Sequence, residues 1–205
     1  MSAVPAEEHV PPPEDAVPVL NLANVLTGIR IVLVPFFLAA LLVADGHDVR
    51  WRFGAFLLFA VAAITDRFDG EIARRRGLVT SFGKIADPIA DKALMGAALI
   101  GLSVLGILPW WITVLILGRE VGVTLLRFWV LRLGVIPASR GGKLKTLVQT
   151  VAIGLFVLPL TELAGPVLAL DAVRWAFMAA AIVLTVVTGL DYVYRALRLR
   201  RAAVG

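Results

Sequence analysis

The chain has no cysteine and only two histidines in 205 residues. Without cysteine there is no disulfide framework, no thiolate nucleophile and no Cys-ligated zinc. His9 and His47 both fall in polar stretches outside the apolar runs, which argues against a histidine-based triad or a His-rich metal centre. Any metal site among the apolar segments must therefore use oxygen ligands, which suit Mg²⁺, Mn²⁺ or Ca²⁺. Lysine is also rare, with four against sixteen arginines, a bias associated with GC-rich bacterial genomes.

What the chain has in excess is apolar surface. The set AVILMFWYC makes up 60% of the residues and the mean hydropathy is +0.90. A soluble domain holds roughly 45–50% apolar residues even with glycine counted. A soluble enzyme with a large separate domain is excluded. At about 20 residues per spanning helix, the length allows up to six or seven spans.

Residues 1–20 carry Glu7, Glu8, Glu14 and Asp15, five prolines and no basic residue. A secretory signal needs a positive start and a short apolar core, so a mobile N-terminal tail is expected instead. The apolar runs beyond it predict six helices, at 22–44, 52–75, 82–105, 109–132, 145–165 and 171–197. Gly106 and Pro109 divide a charge-free run too long for one span. The expected organisation is a tail over 1–20, a six-helix transmembrane domain over 21–198, and a basic C-terminal tail over 199–205.

The distribution of Lys and Arg sets the orientation. Three acid-free stretches are basic: Arg74–Arg76 with Lys84, then Arg132, Arg140, Lys143 and Lys145, and finally Arg195, Arg198, Arg200 and Arg201. The opposite side mixes Arg50, Arg52 and Arg174 with Asp45, Asp48, Glu162 and Asp171. Both termini and both basic loops are expected to be cytoplasmic. So placed, the net charge of +5 points to anionic lipid head groups and not to nucleic acid. Trp110 and Trp111, at a span end, read as interface anchors.

Asp66, Asp69, Asp87, Asp91, Lys92, Arg119, Glu120, Arg127 and Asp191 all fall inside or at the ends of these spans. An acid at a span centre costs at least about 2.5 kcal/mol, so a cluster of four is a functional hypothesis by default. Asp66, Asp69, Gly70 and Ala73 share one stripe of a helix, and Gly83, Asp87 and Asp91 share another. A short basic turn joins these antiparallel neighbours, so the four carboxylates can converge. They cannot all ionise at low dielectric without cation charge. Two divalent ions would supply it, and such a pair suits displacement at phosphorus. A proton or cation path would also place acids in spans, as would structural pairing with Arg67 or Lys92. From the carboxylates alone these alternatives stay open.

The run from Asp66 to Arg74, eight further residues, and then Gly83, Asp87 and Asp91 resembles the signature of the CDP-alcohol phosphatidyltransferase family, D-x-x-D-G-x-x-A-R-x(8)-G-x-x-x-D-x-x-x-D. All eight specified positions match. The resemblance implies an all-α membrane bundle of six transmembrane helices. It also implies a Mg²⁺-dependent transfer of a phosphatidyl group from CDP-diacylglycerol to an alcohol, releasing CMP. On the family pattern Asp66, Asp69, Asp87 and Asp91 would hold two Mg²⁺ ions, with Mn²⁺ as the other suited metal, and Asp91 would be the general base. Gly70, Ala73, Arg74, Thr80 and Gly83 would hold the cytidine diphosphate, with Asn24, Thr27 and Arg30 lying across it.

Three segments resemble the branch of the family that uses sn-glycerol 3-phosphate: Asn21–Arg30, Gly118-Arg119-Glu120, and Gly142 to Gln149. The close of the chain, Thr188 to Tyr192, does too. The resemblance makes Arg119, Lys143, Lys145, Arg140 and Arg195 candidates for the acceptor phosphate. Lys143 and Lys145 have a plain alternative as topology determinants, and Arg119 as a local partner of Glu120. Phosphatidylglycerol and inositol phosphate are the competing acceptors, and a cation-coupled transporter is the alternative from another class. The family also implies a homodimer in a bacterial inner membrane.

Overall fold

The computed structural model describes residues 21–76, 81–130, 140–160, 163, 165 and 167–204, without the side chains of 22, 23, 67–76, 81–85, 87, 130, 140 and 202–204. The described residues form six α-helices and no strand. They are α1 (Leu22–Leu42), α2 (Val49–Arg76), α3 (Ser81–Val104), α4 (Trp110–Val130), α5 (Arg140–Val157) and α6 (Leu168–Val204). The expected tail over 1–20 lies outside the described residues.

Local chemistry sets the helix ends. Asn21 caps α1, its side chain accepting from the Asn24 backbone N–H at 3.0 Å. Asp48 does the same for α2, accepting from the backbone N–H groups of Arg50 and Trp51 at 2.9 and 3.1 Å. Between them a tight 3-10 turn, Val43–Gly46, places Ala44, Asp45 and Gly46 in the left-handed region. At the far end of α3, Gly106 has φ +68°. Its N–H reaches Ser103 O at 3.1 Å, and the Ile107 N–H reaches Leu102 O at 3.0 Å. That pairing is the Schellman termination, which needs a residue tolerant of positive φ. The predicted break at Gly106 and Pro109 is present.

Two helices differ from expectation. α5 runs from 140 to 157, not from 145 to 165. The Gly141–Gly142 pair is taken into the first turn, and Pro159, which cannot continue a helix, closes the far end. α6 begins at Leu168 and continues through the basic residues to Val204, well past 197. Arginines in the last turns favour such an extension because they sit at the negative end of the helix dipole.

α1 packs on both α2 and α3, while α6 packs on α4 and α5. The core between them is alanine- and leucine-rich: Ala55, Ala62, Ala98, Leu94, Leu99 and Leu102 are buried, with Phe37 against Phe59 at 5.8 Å between ring centres. Small residues permit close approach where apolar helices cannot gain from burial against lipid. Large apolar side chains such as Phe36, Val61, Val114 and Leu125 project outward. An exterior of that kind is incompatible with water and suits a bilayer. By length and composition, Asn24–Gly46 and Leu168–Arg201 qualify as membrane-crossing segments among the described residues.

Arg52, expected on the outer side at the start of a span, is buried inside the bundle. Its Nη2 donates to the backbone oxygen of Phe156 at 3.0 Å. That oxygen belongs to the last turn of α5, whose carbonyls lack helical partners. The ring of Phe156 meets Trp175 edge-on at 5.0 Å and lies under Arg174 at 5.1 Å. These contacts set the register of α2, α5 and α6.

Gly101 is the tightest point between α1 and α3: a Cβ there would lie 2.8 Å from Leu41 Cδ2 and 3.0 Å from Leu38 Cδ1. Leu41 is fully buried and has nowhere to move. Gly122, by contrast, has nothing within 4 Å. Gly101→Val should therefore lower stability by about 1–3 kcal/mol through overpacking, while Gly122→Val should stay within about 0.5 kcal/mol. Thermal unfolding of both variants in detergent checks this. Equal midpoints would show that α1 and α3 are loosely apposed.

Candidate active site

α1 contributes one buried polar stripe. Asn24, Thr27 and Arg30 follow at intervals of three residues and are all buried, Arg30 at 1% exposure. Arg30 Nη1 donates to Asp66 Oδ1 at 2.5 Å, across to α2. An arginine this buried is stable only when its charge is answered, so this ion pair fixes the rotation of α1 against α2. It also brings a residue expected over the nucleotide onto one of the four carboxylates.

The backbone carries Asp69, Gly70, Ala73 and Arg74 on α2 and Gly83 and Asp87 on α3. Their side chains lie outside the described residues, and Thr80 lies outside them altogether. Of the four aspartates, Asp66 and Asp91 have described side chains. Asp91 is in the field of Asp66 and Arg30 on one side and of Glu120 and Lys145 on the other. Groups from α1 to α5 thus meet electrostatically at Asp91.

The second half of the site is built on α4, α5 and α6. Lys145 is buried and donates to Glu120 Oε1. Arg119 Nη1 donates to the same oxygen at 3.1 Å, and Nη2 to Thr188 Oγ1 at 3.0 Å. Its Nε is buried and has no partner. Gly189 makes this possible: a Cβ there would stand 3.2 Å from Arg119 Cγ, so the arginine lies flat across α6 only because that position is glycine. Two cations on one carboxylate leave the cluster with a net charge of +1.

The remaining acceptor candidates fall elsewhere. Lys143 is exposed at the start of α5, and the Arg140 side chain lies outside the described residues. Arg195 pairs with Asp191 one turn earlier on α6, Nε to Oδ1 at 3.0 Å. Lys92, beside Asp91 in sequence, turns to α4 and donates to Thr124 Oγ1 at 2.5 Å, and Thr124 donates to Glu120 O at 2.7 Å.

Sequence reasoning placed Glu120 as a local partner of Arg119, and that contact is present; the pairing with Lys145 across to α5 is additional. The role of Glu120 as the shared partner of Arg119 and Lys145 was signalled by an acid in mid-span with cations available on neighbouring helices. The buried pair Gln149 and Thr185 was not singled out. Thr185 lies in the run Ala181–Gly189, where two threonines among apolar residues carry little sequence signal.

The donor set is all hard oxygen. Carboxylate oxygens of this kind suit a divalent metal; of the four, the described Asp66 already pairs with Arg30, and among the described residues no three such groups stand together.

The model of the CDP-alcohol phosphatidyltransferase family, whose members are generally dependent on divalent metals, matches residues 20–187. Among named relatives, a probable phosphatidylglycerophosphate synthase of Mycobacterium tuberculosis is 62% identical over 180 residues, covering 88% of this chain and 83% of that protein. A CDP-diacylglycerol–glycerol-3-phosphate 3-phosphatidyltransferase of Bacillus subtilis is 36% identical over 185 residues, covering 84% and 93%. One of the same name from Rickettsia felis is 39% identical over 173 residues, covering 84% and 93%. A match over this length, on a helical bundle with its charges gathered at Asp91, makes the chain a phosphatidyltransferase enzyme that belongs to the CDP-alcohol phosphatidyltransferase family.

Proposed function

We propose that this chain transfers the phosphatidyl group of CDP-diacylglycerol to sn-glycerol 3-phosphate, giving phosphatidylglycerophosphate and CMP. The observation that carries the acceptor assignment is the cationic cluster of Arg119, Glu120 and Lys145 in the field of Asp91. An acceptor that is itself a phosphate needs net positive charge near the attacking hydroxyl. The names of the relatives agree with it.

Asp66, Asp69, Asp87 and Asp91 would hold two Mg²⁺, with Mn²⁺ as an alternative. Bound there, the metal would supply positive charge to the diphosphate. Asn24, Thr27 and Arg30 on α1 and Gly70, Ala73, Arg74, Thr80 and Gly83 around the α2–α3 turn would hold the cytidine diphosphate. Arg119 and Lys145 anchor the acceptor phosphate, with Lys143, Arg140 and Arg195 at the approach. Asp91 takes the proton of the acceptor hydroxyl as its oxygen bonds to the phosphorus bearing diacylglycerol. The bond from that phosphorus to the bridging oxygen breaks, and CMP departs with the electron pair.

The six helices would each cross a bacterial inner membrane, with both termini in the cytoplasm and the chain paired as a homodimer. The lipid donor then enters sideways from the inner leaflet, and the polar acceptor comes from the cytosol.

The test is CMP release by the purified protein in mixed micelles with CDP-diacylglycerol and Mg²⁺, across glycerol 3-phosphate, phosphatidylglycerol and inositol phosphate. Release with glycerol 3-phosphate alone, lost with chelator and restored by Mg²⁺, is expected. Release with another acceptor alone would overturn the acceptor assignment. No release by folded protein would favour a cation-coupled transporter.

Two variants probe the residues. Asp91→Asn should cut turnover by roughly 10²–10⁴-fold with CDP-diacylglycerol binding retained, and near-normal turnover would remove Asp91 from the role of base. Lys145→Gln should raise the acceptor KM about tenfold or more and leave the donor KM within about twofold, whereas exposed Lys143→Gln should change either little. Equal effects of the two would reduce Lys145 to a topology determinant.

A further inference from the structure

Two polar side chains in the apolar bundle have no protein partner to explain them. Gln149 on α5 is 4% exposed and Thr185 on α6 is fully buried, and neither Gln149 Oε1 nor Thr185 Oγ1 has a hydrogen-bond partner. A buried polar atom left unpaired costs free energy that an apolar residue of the same shape would not. Thr185 had an easy remedy. Thr65, Thr124, Thr146, Thr150 and Thr188 each donate to the carbonyl four residues earlier. Thr185 does not.

Along the helix axes both lie within about one turn of the cationic cluster. The Phe156–Trp175 contact sets the antiparallel register of α5 and α6. Lys145 is eleven residues back from it on α5 and Thr185 ten residues on along α6, each about 15–17 Å along its axis. Thr185 is therefore level with Lys145. Gln149 is one turn further from the cytoplasmic end on the Lys145 face, and Thr185 precedes Thr188, the Arg119 partner, by three residues on one face of α6.

We propose that Gln149 and Thr185 bind the unreacted hydroxyl of the acceptor and so select a glycerol phosphate, a step that rests on the acceptor assignment above. The Gln149 amide and the Thr185 hydroxyl are neutral, each able to accept and to donate, and so match a neutral hydroxyl, while Arg119 and Lys145 are already at hand for the phosphate charge. A secondary hydroxyl both donates and accepts. It can give its proton to Gln149 Oε1 and take one from Thr185 Oγ1, satisfying both buried atoms at once.

The experiment compares kcat/KM for sn-glycerol 3-phosphate with that for 3-hydroxypropyl phosphate, which lacks the middle hydroxyl, in the full chain and in Gln149→Leu, Thr185→Val and Thr185→Ser. The unaltered chain should favour glycerol 3-phosphate by at least about 10²-fold, because a site built to pair a hydroxyl rejects the analogue without it. Gln149→Leu and Thr185→Val should each reduce that preference about tenfold or more, by loss on glycerol 3-phosphate alone, and Thr185→Ser should retain it. The melting midpoint of Thr185→Val should hold or rise, since an unpaired buried hydroxyl is replaced by its apolar isostere. Equal losses on both acceptors, or a fallen midpoint with an unchanged preference, would overturn the proposal and make the pair a tie between α5 and α6. Turnover of phosphatidylglycerol with neither glycerol acceptor used would overturn the acceptor assignment, and this proposal with it.

Discussion

A charge inside an apolar bundle has to be answered by another charge, and the arrangement of these helices follows from that requirement. Arg30 is 1% exposed and is held by Asp66. Lys145 is held by Glu120, which also takes Arg119. Removing one member of a buried pair strands the other, at a cost of about 3–5 kcal/mol. Apolar packing is far less demanding: alanine and leucine faces such as those of Ala98, Leu99 and Leu102 can slide or rotate against one another at small cost. The ion pairs therefore decide which face of α1 meets α2 and which faces of α4 and α5 meet. The groups proposed for the chemistry also select one packing among several.

The charges are sorted by sign. α1 to α3 carry the aspartates, with Arg30 among them, and α4 to α6 carry Arg119 and Lys145 around one glutamate. Asp91 feels both groups. A reaction that joins two anions needs such a division. Donor diphosphate and acceptor phosphate repel one another, by about 4 kcal/mol for unit charges 4 Å apart at an effective dielectric of 20. On the proposed function, carboxylate-held metal neutralises the first and the guanidinium–ammonium pair the second. A base between the two is then placed where the acceptor hydroxyl must arrive.

The helical plan was legible because its signals are local. Gly106 and Pro109 mark a break that the backbone realises through positive φ at the glycine, and the bounds of α1 to α4 follow the apolar runs closely. The aspartate spacing likewise placed Asp66 and Asp91 on adjacent helices. What could not be read was which polar residues turn inward. Arg52 looked like an outer-side cation because it sits near a span end, yet its partner is a carbonyl 104 residues away. Lys143 and Lys145 looked equivalent in the sequence. Their two-residue offset puts them on opposite sides of a helix, and only Lys145 is buried. Such distinctions depend on helix rotation, which long-range pairs determine and local pattern does not.

On the proposed six-span topology, the same charges would account for the low hydropathy of the other four helices. Among the described residues, the segments apolar enough to qualify as spans lie in α1 and α6. α2, α3, α4 and α5 carry Asp66, Asp91, the Arg119–Glu120 pair and Lys145. Insertion scales charge several kcal/mol for each such group on an isolated helix, but inside the bundle Asp66, Arg119, Glu120 and Lys145 each meet an opposite charge. The outward positions of those helices stay apolar: Val61 on α2, Ile100 on α3, Val114 and Leu125 on α4, Leu147 on α5. Lipid meets only that outer face. A helix that carries an active site therefore scores poorly as a span in proportion to the chemistry it carries. The proposed six-span topology follows from the outer surface of the assembled bundle, not from any single helix taken alone.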